Sequence, residues 1–231
     1  MMNLNRHLEV FSPDKFGKRR IDIIGAGATG SKIALDLAKL GIENLHVWDY
    51  DKVESHNIPN QLYGVEHINM LKVDALKSII LKQTDIEITI HNKKVIDEER
   101  FGDVIFLLVD SMKTRKEIWD SSIKYQANVK VMIETRMGSD QGRIYIVNPL
   151  DSTEVERWEK TLYGDDESEV SACGTSITVG PTSTSISGFA VWQFLNWYKK
   201  NIEKKDIVLS NELIFTLSPT ITIYTNSFHT K

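Results

Sequence analysis

Apolar positions along the chain fall into short runs separated by helical patterns. Ile21, Ile23 and Ile24 mark a brief strand. After it, Ile33, Ala34, Leu37, Ala38 and Leu40 recur at helical spacing, and Gly41 supplies a stop. "NLHVWD" (44–49) reads as a second strand. A strand–turn–helix–strand opening predicts a parallel α/β sheet. The alternation continues with an amphipathic helix over 71–83 and a strand over 86–92. The unbroken apolar run "DVIFLLVD" (103–110) suits a strand covered on both faces. A helix over 113–127 and strands over 129–134 and 142–149 follow.

Past residue 150 the rhythm breaks. Residues 150–180 are polar and acidic, with one short helical pattern near 154–163. A connection this long inside a compact domain is usually functional or mobile. Pro181 is well placed to start a broadly apolar helix reaching residue 200. "DIVLS", "LIFTLS" and "TITIYT" (206–225) predict a closing antiparallel set. The expected fold class is α/β, with a mostly parallel sheet extended by C-terminal antiparallel strands. No linker divides the 231 residues, so one domain over 1–231 is expected, with a long crossover loop at about 150–180.

Composition narrows the partners. Net charge is −4 with no basic stripe, which argues against nucleic acid. The apolar run 104–109 is far too short to cross a bilayer, and "MMNLNRHLEV" lacks the apolar core of a signal peptide. No membrane association and a cytoplasmic location are therefore expected. The single cysteine, Cys173, excludes an internal disulfide and a cysteine-rich zinc site.

Candidate chemistry begins at Gly25, Gly27 and Gly30, a GxGxxG between strand and helix. Such glycines permit a tight turn and close phosphate approach, with a helix N-terminus favouring negative charge. Asp49 ends the second strand, where an acid can accept ribose hydroxyls. This much fits NAD, FAD or ATP. The residues that follow are more selective: Asp51, Glu54, Asn57, Asn60 and Gln61, then Lys72 at a helix head and Asp110 at the end of the fourth strand. Open α/β sheets bind ligands at that edge. A lysine and a carboxylate-held Mg²⁺ serve phosphate cleavage and have no part in hydride transfer. ATP and Mg²⁺ are the expected cofactors, with an NAD-dependent oxidoreductase as the remote alternative.

In colinear order, "DYDKVESHNIPNQ" (49–61), "NMLK" (69–72), "LVDSMKTR" (108–115), "CGTSITVGP" (173–181) and an N-terminal "NRH" (5–7) resemble the motifs of the ThiF/MoeB/HesA family. This is the adenylating fold shared with ubiquitin-activating enzymes. The resemblance runs from about residue 5 to 225 and implies a Rossmann-like three-layer sandwich. It implies an adenylyltransferase that activates the C-terminal carboxylate of a ubiquitin-like or sulfur-carrier protein ending in Gly-Gly. Asp49, with Asp51, would hold the nucleoside. Asn57, Asn60, Gln61 and Lys72 would lie at the phosphates, and Asp110 would hold Mg²⁺. Arg6 would reach the partner's ATP across a homodimer. Cys173 either takes the activated carboxyl, supports sulfur transfer, or is an inert small side chain.

The chain also departs from the family pattern. Asn60 stands where relatives carry an arginine, and losing one such donor typically costs about 2.7–4 kcal/mol of transition-state stabilisation. Arg136, Arg115 and Arg6 are the candidate replacements. Without one, a nucleotide-binding scaffold lacking turnover is the alternative. Asn69 and Leu71 replace the glycine and proline that precede the family lysine.

Overall fold

A computed structural model describes residues 2–164 and 178–229. Its centre is an eight-stranded sheet in the order β3-β2-β1-β4-β5-β6-β7-β8. The parallel part comprises β1 (Ile21–Ile24), β2 (Leu45–Trp48), β3 (Thr89–His91), β4 (Val104–Leu107) and β5 (Val131–Met137). Three antiparallel strands extend it: β6 (Gln141–Val147), β7 (Glu212–Thr216) and β8 (Thr222–Asn226). The helices are α1 (Pro13–Phe16), α2 (Gly30–Lys39), α3 (Lys72–Thr84), α4 (Met112–Ile118), α5 (Ser152–Glu159) and α6 (Gly180–Asn201).

Strand side chains alternate between two cores, as the pleat requires. Ile21, Ile23, Val104, Phe106, Val131 and Ile133 face a core shared with α2, α3 and α6. Ile24, Trp48, Ile105, Leu107 and Met132 face a second core with Trp119 and Trp158. The sheet is therefore the middle of three layers. Both faces being covered explains why β1 and β4 are buried at every residue.

Two sequence expectations fail. The helix over 113–127 stops at Ile118 and passes into a π-helical turn, Trp119–Ile123. Trp119 is fully buried, packs on Trp158 at 4.5 Å between ring centroids, and donates its indole N–H to Glu159 Oε1 at 2.9 Å. Residues 206–210 form no strand. Leu209 packs on the core while Val208 is exposed, so their apolar character anchors a connector to α6 and joins no ladder. The strand over 86–92 shortens to Thr89–His91. No helix among the described residues is long and apolar enough to cross a membrane.

Register positions the site. Ile24 lies beside Trp48 on one side and Leu107 on the other. The carboxyl ends of β1, β2 and β4 thus stop level, and the chain segments that leave them, at Gly25, Asp49 and Leu108–Asp110, emerge side by side.

Candidate functional site at the carboxyl edge of the sheet

The glycine turn follows β1. Gly25 has φ +103°, and a Cβ there would sit 2.8 Å from the Leu108 carbonyl oxygen. A Cβ on Gly30 would lie 1.8 Å from the Gly25 oxygen. The protein's own packing therefore dictates both. Gly27 differs, since a Cβ on it would meet nothing within 4 Å. At this position glycine leaves free space above a backbone that a ligand can approach. α2 begins just beyond, with no side chain capping its first amides and no acid in its first turn.

Asp49 ties the second strand to this turn. Its carboxylate accepts from the Ala26 amide at 2.7 Å and from the Asp51 amide at 2.8 Å. Burial pushes the Asp49 pKa up, opposed by the Lys72 charge and by those two amides. Tyr63 donates to the Ala26 carbonyl at 2.7 Å, closing the turn from below.

Lys72 is the first residue of α3, an unfavourable place for a cation because the helix dipole is positive there. Asp51 compensates, with its carboxylate 2.8 Å from the buried Lys72 ammonium. The backbone before it is held too: Asn69 has φ +73°, a left-handed conformation in which asparagine is the best non-glycine residue. The missing family glycine thus leaves the local path intact.

Asp110 is exposed beyond β4 and accepts from the Ser111 amide at 2.9 Å. Tyr50 has its pKa raised by burial first, then by the charges of Asp51, Asp110 and Asp49. An exposed carboxylate such as that of Asp110 has the chemistry that suits Mg²⁺, which keeps several waters and uses one or two carboxylates.

The stretch 57–61 forms the next wall. Asn57 is buried, and its side-chain oxygen accepts from the Glu54 amide at 2.9 Å. Asn60 donates its side-chain amide to Thr178 Oγ1. Asn60 Oδ1 and Gln61 Oε1 are buried and find no hydrogen-bond partner among the described residues. Buried acceptors of this kind are uncommon.

Two of the three arginines named as replacements for the one missing at Asn60, Arg115 and Arg136, are engaged with Glu134. Arg115 lies 2.6 Å from Glu134 Oε1, and Arg136 lies 2.8 Å from the same oxygen. Trp158 donates to Glu134 Oε2 at 2.9 Å. Burial alone would raise the Glu134 pKa. The Arg115 and Arg136 charges, with hydrogen bonds from Arg136 and Trp158, outweigh it and hold the carboxyl below its ordinary range. Arg6 is exposed, in an N-terminal segment whose Leu4 packs over Gly41 at the far end of α2. Ten residues of helix separate the two ends of α2, roughly 15 Å. Within one subunit the structure does not bring Arg6 to the glycine turn. Cys173 lies outside the described residues.

Sequence reasoning missed Lys32. Its ammonium reaches the Asn60 carbonyl at 2.8 Å, and it also contacts Ser183 Oγ. The available signal was its position two residues past the third glycine.

A mostly parallel α/β sheet covered on both faces, with a glycine turn, acids and lysines at its carboxyl edge, defines the class: a Rossmann-like three-layer protein. The chain belongs to the ThiF family, whose model matches residues 4–227. It is 35% identical over 105 residues to the NEDD8-activating enzyme E1 catalytic subunit of Arabidopsis thaliana, covering 43% of this chain and 23% of that protein. It is 31% identical over 116 residues to the adenylyltransferase and sulfurtransferase MOCS3 of Anopheles gambiae, covering 47% and 26%. The chain thus spans about a quarter of the length of these curated relatives. Among solved structures, E. coli MccB with MccA-N7isoASN matches at TM-score 0.73 and 18% identity, covering 99% of this chain and 72% of that one. PaaA matches at TM-score 0.70 and 20% identity, covering 97% and 68%. Identities this low support the shared fold.

Proposed function

We propose that the chain is an adenylyltransferase that uses ATP to activate the C-terminal carboxylate of a ubiquitin-like or sulfur-carrier protein ending in Gly-Gly. The observation that carries the reading is the level ending of β1, β2 and β4, which gathers the open Gly27 turn, Asp49, the Asp51–Lys72 pair and Asp110. Family membership and similarity to named activating enzymes support it.

In this reading the nucleoside lies against Asp49 and the phosphates over the Gly27 backbone. The substrate carboxylate attacks the α-phosphorus, the bond to pyrophosphate breaks, and an acyl-adenylate forms. Asn57 and Gln61 orient the phosphates, and Lys72 exchanges Asp51 for phosphate oxygen. Asp110 would hold Mg²⁺, which when bound neutralises phosphate charge. Arg6 acts across a homodimer, and Cys173 is the candidate acceptor for a later transfer.

The test is ATP–pyrophosphate exchange with a Gly-Gly carrier or peptide. Carrier-dependent exchange supports the reading; no exchange with any carrier and no Mg-ATP binding would sink it. The occupied state of Arg115 and Arg136 favours one second reading, a nucleotide-binding scaffold, which predicts Mg-ATP binding without exchange.

A further inference from the structure

Several cations at the edge have a carboxylate partner within the protein. Lys72 is paired with Asp51, and Arg115 and Arg136 share Glu134. Lys32 is different. It sits on the first turn of α2, beside the glycine turn, with Ser31 Oγ bonded to the Gly27 carbonyl at 2.7 Å next to it. Its ammonium is surrounded by neutral oxygens: the Asn60 carbonyl at 2.8 Å, Ser183 Oγ, and the Gly180 carbonyl at 3.5 Å, the limit of a hydrogen bond. Among the described residues it has no carboxylate partner. Burial lowers its pKa. A half-buried cation without a counter-ion is costly to keep unless an anion completes it. Beside it lie the unpartnered Asn60 Oδ1 and Gln61 Oε1.

Three segments converge on this ammonium: the start of α2, the 57–61 wall, and the start of α6, where a Cβ on Gly180 would sit 2.8 Å from the Pro59 carbonyl. Gly180 and Ser183 belong to α6, so the lysine is held at a junction of rigid pieces. We propose that Lys32 is the oligophosphate-binding cation of this site, taking the terminal phosphates of the bound nucleotide at the place where Asn60 contributes no charge. The inference rests on the adenylating reading for the identity of the nucleotide. Its own content is the contact between Lys32 and phosphate beyond the α-position.

A purely structural lysine would tie α2 to α6 and leave phosphate unaffected. The two roles separate by calorimetric titration of the whole chain with Mg-ATP, AMP and inorganic tripolyphosphate. Wild type is compared with Lys32→Met and with Lys32→Gln, a shorter neutral side chain that retains two N–H donors. Both variants are expected to weaken ATP and tripolyphosphate by about 10- to 100-fold, the worth of one charged hydrogen bond, and to leave AMP binding unchanged. AMP binding also certifies the fold of each variant. ATP binding at wild-type strength in either folded variant, or parallel loss of ATP and AMP in Lys32→Gln, would overturn the proposal. If wild type binds tripolyphosphate through Lys32 but no adenine nucleotide, the adenylating reading falls and the anion site stands. If it binds neither, both fall.

Discussion

At the scale of single residues, Glu134 organises more of this molecule than its place in the sequence suggests. It is fully buried, and one carboxylate serves two guanidiniums and an indole. Replacing it strands two buried cations, so Glu134→Gln is expected to destabilise the fold by about 3–5 kcal/mol in chemical denaturation. A loss under about 1 kcal/mol would mean that the arginines find other partners. Glu203 offers the matching pH test. A hydrogen bond from Lys15 and an ion pair with Lys205 bring its pKa down from 4.5 to about 2. A folded pKa below the unfolded one contributes stability above the unfolded value, which is lost as pH falls through the folded one. The urea midpoint should therefore fall between about pH 4.5 and 2, and Glu203→Gln should make that fall shallower. Equal slopes in the two proteins would exclude Glu203 as a contributor.

At the scale of elements, the glycine turn separates packing from ligand binding. Gly30→Ala places a methyl 1.8 Å from the Gly25 oxygen, so the turn must rearrange and stability must drop. Gly27→Ala meets nothing and should leave the denaturation midpoint within about 0.5 kcal/mol of wild type. The same methyl fills the space over which phosphates are proposed to lie, so Mg-ATP binding should weaken at least about tenfold, a loss of about 1.4 kcal/mol. Unchanged ATP affinity in Gly27→Ala would place the nucleotide elsewhere.

This contrast also marks what periodicity could reveal. The apolar runs of β1 and β4 and the helical spacing of α2 were legible because burial on fixed faces imposes a period. Strand order likewise implied that Asp49 and Asp110 follow strands flanking β1, as the register shows. Partner choice leaves no period. Glu134 claiming both Arg115 and Arg136, and Lys32 reaching the Asn60 carbonyl, depend on segments far apart in the chain. The π-turn at Trp119 and the unpaired 206–210 segment were missed for a related reason. Local composition there matched a helix and a strand, and tertiary packing decided otherwise.

At the scale of the whole molecule, α6 links the site to the deepest packing. Its 22 residues span roughly 33 Å. Gly180 abuts Pro59 and the Lys32 junction at one end. Towards the other, Phe194 and Tyr198 pack with Phe11 and Phe16, with Phe11 and Tyr198 ring centroids 4.7 Å apart. A nucleotide that completes the site therefore adds contacts to the helix on which the larger core is assembled, and local binding should register as global stability. A ligand at 100 times its dissociation constant adds about 2.7 kcal/mol when only the folded state binds it. For a chain of this length each kcal/mol moves the melting temperature by about 2–4 °C. Saturating Mg-ATP should thus raise the melting temperature by roughly 5–10 °C. AMP should give a smaller rise, Gly27→Ala should show little, and Lys32→Gln should respond to AMP as wild type does but lose most of the additional rise from ATP. A wild-type melting curve unmoved by millimolar Mg-ATP would break the proposed link between this edge of the sheet and adenine nucleotide, because stabilisation by a ligand grows as RT ln(1 + [L]/Kd) and vanishes only when the nucleotide does not bind at that concentration.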